Sequence, residues 1–176
     1  MSPITRAEAF RLIRKTRASL HHVDPYVDDA VRDAQEIYFV RFQDAERFLA
    51  LIWPEVEGGR ILTPPDEPRT LKDVANRMIY SDWTFEDLNQ DLGLPLDEHD
   101  PELFVKSLYL DENFDYDKFG MLIIAPSTQE EREQSTDGSF YIYDGFHRGL
   151  VLAKRLLREE VDYQQVTAFL VIPRPL

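Results

Sequence analysis

Seven consecutive residues, Tyr143-Asp-Gly-Phe-His-Arg-Gly149, hold the side chains best suited to handling a phosphate. An aromatic run ends at Tyr143 and a helical pattern begins just after it, so Gly145 falls where the chain must turn sharply from strand to helix. The N–H groups of a helix's first turn lack intrahelical acceptors, and with the positive end of the helix dipole they attract an anion. Arg148 is expected to add an exposed planar fork that matches phosphate oxygens, and His147 a donor or base near neutral pH. A simpler arrangement uses the same residues: Asp144 caps the helix, while His147 and Arg148 pair with nearby carboxylates at the surface. Residue type and spacing leave both open.

Elsewhere the chemistry is sparser. Asp111, Glu112, Asp115 and Asp117 just precede the apolar run at Met121 and could face the same turn, although a solvated acidic loop is the simpler account. His21, His22 and His99 have no metal-ligand spacing and read as surface residues. The chain has no Cys, which excludes disulfides, thiolate metal sites, iron–sulfur clusters and cysteine nucleophiles. Neither Gly-x-x-x-x-Gly-Lys-Ser/Thr nor Gly-x-Gly-x-x-Gly occurs, so two common nucleotide motifs are absent.

The elements that must position the turn follow from pattern. Met121 to Ala125 reads as a short, continuously apolar strand, and Gln129 to Gly138 as a polar loop with the hairpin-type signal Asp137-Gly138. Phe140 to Tyr143 is a second strand. Leu150, Val151, Ala153 and Leu157 then trace a helix, and Thr167 to Ile172 is a closing strand. This order is that of a mixed α/β core of the α+β class, with the strands at Met121, Phe140 and Thr167 in one sheet and the helix packed on it.

Upstream, Thr5 and Glu8 make a capping box for an amphipathic helix over residues 6–21, built on Ala9, Phe10, Leu12, Ile13 and Leu20 with a basic outer face. Asp24-Pro25 opens a second helix. Ile37 to Val40 with Phe42 is a strand candidate, and Asp44 caps a helix expected to run through Trp53. Gly and Pro between Glu57 and Pro68 mark an exposed loop. Thr70 precedes a helix carrying Leu71, Val74 and Ala75; two more are expected from Thr84 to Leu92 and from Asp100-Pro101 to about Leu108. The expected organisation is one domain over 1–176, with a helical N-terminal region over 1–68 and, over 69–176, an acidic helical insert plus the core.

There are 33 acidic and 20 basic side chains, a net charge of −13. That argues against a general coat for duplex DNA, which needs Lys and Arg to displace counterions. The acids concentrate between Asp82 and Asp117, and bases at the N-terminus, where Arg6, Arg11, Arg14, Lys15 and Arg17 face only Glu8. Both runs read first as solvated faces; the alternatives are a carboxylate cluster for a divalent cation and a basic arm for an acidic partner. The longest apolar run, Phe48 to Trp53, is far shorter than the about 20 residues of a membrane-spanning helix. No membrane span and no secretory signal are expected, which points to a soluble, cytoplasmic protein.

Gly145-Phe-His-Arg148, between the strand at Phe140 and the helix that follows, resembles the turn of the ParB/sulfiredoxin superfamily, in which a strand runs into Gly-x-His-Arg or Gly-Glu-Arg-Arg. Met121 to Pro126 resembles the preceding family strand, so the resemblance covers the last third of the chain. It implies a nucleotide site, with Gly145, Phe146, His147 and Arg148 as binding candidates and His147, Asp144 and Arg148 as catalytic candidates. It also implies ATP with Mg²⁺, the metal held by one or two carboxylates and phosphate oxygens, Asp144 being the first choice. Phe146 stands where sulfiredoxins have cysteine, which excludes sulfinic acid repair. It also replaces the Glu of the ParB form, and no segment remains for a DNA-reading module. Stand-alone members of similar length include plasmid fertility-inhibition factors, so the resemblance further implies ATP hydrolysis, cleavage of single-stranded or transferred DNA, and a type IV secretion or coupling protein as partner. Arg148, Lys154, Arg155 and Arg158 with Phe146 are the candidates for a narrow DNA groove. A small-metabolite kinase on the same turn and a non-enzymatic docking inhibitor, using the acidic segment or the basic first helix, are the other expectations.

Overall fold

A strand can be apolar without interruption only if both its faces are covered. Met121 to Ala125 and Ala168 to Ile172 are of this kind, and in the computed structural model they lie side by side inside one sheet. The described residues are 1–17, 25–53, 69–79, 111, 113–127 and 140–173. They form β1 (Ser2–Pro3), α1 (Arg6–Arg17), α2 (Pro25–Asp33), β2 (Ala34–Phe42), α3 (Ala45–Leu49), α4 (Leu71–Ile79), α5 (Tyr116–Phe119), β3 (Met121–Pro126), β4 (Phe140–Asp144), α6 (Phe146–Leu157) and β5 (Val166–Pro173).

The strand order is β1-β2-β5-β3-β4. β3 and β5 are parallel, and the other neighbours antiparallel. The class is α+β, and the strands at Met121, Phe140 and Thr167 share one sheet as the pattern requires. Alternate residues feed two cores. Leu122, Ile124, Ala168 and Leu170 pack with Leu150, Leu152 and Ala153 of α6 and Leu71, Val74 and Ala75 of α4. Ile123, Ala125, Phe169 and Val171 pack on the other face with Ala9 and Ile13 of α1 and Val31 of α2. The sheet is therefore the middle of three layers, and its two central strands are buried on both sides. Val151 is also buried, and Leu157 is half-buried against the first core.

The N-terminal region is not helical alone. It supplies β1 and the nine-residue β2, so both sides of the Gly- and Pro-rich loop contribute to one sheet. The capping box forms as expected, with Thr5 N–H donating to Glu8 Oε2 at 2.9 Å and Glu8 N–H to Thr5 Oγ1 at 3.2 Å.

Asp44 does cap α3, accepting from Arg47 N–H at 2.9 Å, but the helix stops at Leu49 and does not reach Trp53. The cause is tertiary. Ile52 N–H donates to Phe140 O at 3.0 Å and Ile142 N–H to Ile52 O at 2.9 Å, which covers part of the outer edge of β4. On its other side Trp53 N–H donates to Arg69 O at 2.7 Å and Leu71 N–H to Leu51 O at 2.8 Å. Three-residue pairing on both sides outweighs one more helical turn. Thr70 then caps α4, with Asp73 N–H donating to its Oγ1 at 3.2 Å. Residues 18–21 of the first expected helix, Asp24, the loop from Glu57 to Pro68, the helices expected at Thr84 and Asp100, the Asp137-Gly138 turn, His21, His22, His99 and Glu112 lie outside the described residues. No helix among the described residues is long and apolar enough to cross a membrane.

Candidate functional site

The turn after β4 is shaped first by a bulge. Ile124 pairs with Ile142 and Ile123 with Asp144, so Tyr143 is the extra residue. A bulge bends its strand and re-aims the next side chain, here Asp144 at the strand's end. Gly145 follows at φ 90° and ψ 13°, the left-handed region. A side chain there would be strained, and a Cβ would lie 2.6 Å from Leu122 Cδ2 and 2.7 Å from Arg148 Nη2. Gly145, which has no side chain, is the N-cap of α6, and the helix's first turn contains no acid. Gly149 N–H to Gly145 O, at 2.9 Å, is where the helical ladder begins, so the amides of Phe146, His147 and Arg148 precede it.

Asp144 pairs with Arg148, with Nη2 3.4 Å from Asp144 Oδ2. Arg148 also donates from Nη1 to Phe119 O at 2.5 Å and from Nη2 to Met121 O at 3.3 Å. Its side chain is 15% exposed and that of Asp144 27%. The expectation of an exposed Arg148 is thus corrected: the guanidinium lies under the turn, among backbone carbonyls. Burial draws its pKa down from the usual value, and the Asp144 carboxylate opposes that.

Phe146 and His147 sit at the start of α6, their rings 4.5 Å apart and tilted by 37°. Phe146 meets Trp53 edge to face at 5.5 Å, which ties the helix start to the Leu51–Trp53 segment. Opposite Trp53 in that pairing lies Arg69, 4% exposed. Sequence reading missed Arg69, because nothing around Pro68-Arg-Thr70 marks an arginine for burial. It also missed Trp53 as a neighbour of Phe146, which depends on the non-local pairing of Ile52 with β4.

The remaining candidates are elsewhere. Asp111 accepts from Lys154 Nζ and, at 2.7 Å, from Arg155 Nε, at the opposite end of α6, so it does not face the Gly145 turn. Arg155 also pairs with Glu160 at 3.5 Å and Arg158 with Glu160 at 3.8 Å. Of the four cations expected to line a DNA groove, Arg148 is turned inward at the other end of the helix. Asp115 caps α5, accepting from Asp117 N–H at 2.9 Å, and pairs with Lys118 at 3.2 Å. The bond from Lys118 and then that from the Asp117 amide hold its pKa below the ordinary carboxylate value. Asp117 is exposed. Among the described residues no group of three or more His, Asp or Glu could hold a metal ion.

Gly145, Phe146, His147, Arg148 and Asp144 are thus brought together, with Arg148 facing inward. Comparisons with family models, curated proteins and solved structures find no match to this chain.

Proposed function

We propose that this chain is a phosphoryl-transfer enzyme that holds the phosphates of ATP at the start of α6, hydrolyses it and cleaves DNA in transit, in the manner of plasmid fertility-inhibition factors of the Osa type. The observation that carries the phosphate reading is the glycine-capped start of a twelve-residue helix, with no acid in its first turn. Such a helix start presents amide donors and a positive dipole end to an anion.

In this reading the backbone amides of Phe146, His147 and Arg148 bind phosphate oxygens, and Gly145 lets the backbone come close. His147 gives or takes a proton at the transferring phosphoryl group. Mg²⁺ would supply charge neutralisation on the phosphates. A single carboxylate beside bound phosphate is an ordinary way to hold it, and Asp144, at the turn, fits that role. The DNA-cleaving step and the secretion partner rest on the resemblance of Gly145-Phe-His-Arg148.

The test is to incubate the purified protein with ATP and Mg²⁺, with and without single- and double-stranded DNA, and to score released phosphate and shortened DNA. Both products support the proposal. Phosphate transferred to serine or another metabolite, with DNA intact, would make it a kinase. Inhibition of DNA transfer by a protein that yields neither product would make it a docking inhibitor.

A further inference from the structure

We infer that Arg148 is a positioning residue: it holds the α5–β3 turn and the Asp144 carboxylate against the start of α6, and shapes the anion site from behind without touching the anion. The inference rests on the phosphate reading above and states how that site is built.

The guanidinium is committed to protein acceptors. Nη1 lies 2.5 Å from Phe119 O, and Nη2 lies 3.3 Å from Met121 O and 3.4 Å from Asp144 Oδ2. The two carbonyls flank Gly120, whose φ of 73° and ψ of −156° is a conformation that favours glycine. With the chain so turned, the two carbonyls meet the two terminal nitrogens of one guanidinium, whose planar fork reaches both where a lysine reaches one.

Its place excludes a second role. Nη2 passes within 2.7 Å of where a Cβ on Gly145 would stand, so the guanidinium fills the underside of the turn. In this reading Arg148 keeps its carbonyl partners when an anion sits on the first-turn amides. Asp144 also offsets its charge, and a paired cation attracts a phosphate less than a lone one. The residue at the fourth position of Gly145-Phe-His-Arg148 thus acts through Gly120, Met121 and Asp144.

The experiment uses inorganic phosphate as probe and three full-length proteins: wild type, Arg148→Lys and Arg148→Met. In the wild type, saturating phosphate should move the backbone amide resonances of residues 146–148 and leave the Arg148 side-chain N–H resonances in place. By calorimetry below each melting temperature, Arg148→Met should bind phosphate roughly tenfold more weakly and Arg148→Lys within about threefold of wild type, the scale of one charged hydrogen bond lost or partly kept. Amide exchange at Gly120, Met121 and Leu122 should quicken in the order wild type, Arg148→Lys, Arg148→Met. A phosphate-induced shift of the Arg148 side-chain resonances, or unchanged exchange at Gly120 to Leu122 in both variants, overturns the inference. If no amide of α6 responds to phosphate in the wild type, the anion-site reading fails by itself, and the exchange series still decides whether Arg148 holds the turn.

Discussion

At the C-terminal end of α6, Lys154 and Arg155 close on Asp111, which arrives from a distant part of the chain; at the N-terminal end, Arg148 closes on Phe119 O, Met121 O and its own neighbour Asp144. Cations in a last helical turn suit the negative end of the dipole. Lys154 and Arg155, only 15% and 24% exposed, are matched there by a carboxylate, so that end is electrostatically complete. The other end is built differently. The dipole favours negative charge, yet the first turn carries no acid and the cap position is a glycine. One end of the helix is satisfied by the chain itself, and the other is where the proposed anion would bind.

The largest effect is expected at Gly145. Gly145→Ala combines left-handed strain with a Cβ 2.6 Å from Leu122 Cδ2, and should cost about 2–4 kcal/mol in urea unfolding. Gly149→Ala, one turn on, is the control. Its Cβ would meet Ile142 and Leu71 at an ordinary 3.5 Å, so the helix should gain up to about 1 kcal/mol from the better helix former.

Asp111→Asn removes the charge that faces Lys154 and Arg155, and should cost about 1–3 kcal/mol in the same unfolding experiment. Phosphate affinity, measured in parallel by calorimetry, should stay at the wild-type value, because the change is confined to the far end of the helix.

A smaller effect concerns the loop that leaves that far end. Tyr163 donates to Phe42 O at 2.9 Å, and burial pushes its pKa up to about 12. The unfolded chain ionises this phenol near 10, so the folded state is favoured below that pH and loses ground as pH rises from 10 towards 12. The melting temperature should therefore fall over that window in the wild type. Tyr163→Phe should start lower and fall less steeply.

Much of this was legible in the sequence where local pattern and burial agree. Met121 to Ala125 and Thr167 to Ile172 read as apolar, buried strands, and Gly145 between an aromatic strand and an apolar helical stripe as a sharp turn. Two things were not legible. The end of α3 depends on Ile52 finding Phe140 and Ile142, almost ninety positions away by sequence number, and local spacing favoured a longer helix. The direction of Arg148 depends on where the carbonyls of Phe119 and Met121 arrive, and no property of Gly145-Phe-His-Arg148 encodes that. A motif names the residues at a site; which of them face the ligand is decided by the segments packed behind.

Binding of a nucleotide phosphate at the start of α6 can be followed by titrating ADP with Mg²⁺ while recording the backbone amide resonances along the whole helix. Saturable shifts at Phe146, His147 and Arg148 that fade before Lys154 are the predicted result. Saturable shifts centred on Lys154 and Arg155, or none along the helix at millimolar ADP, would contradict it.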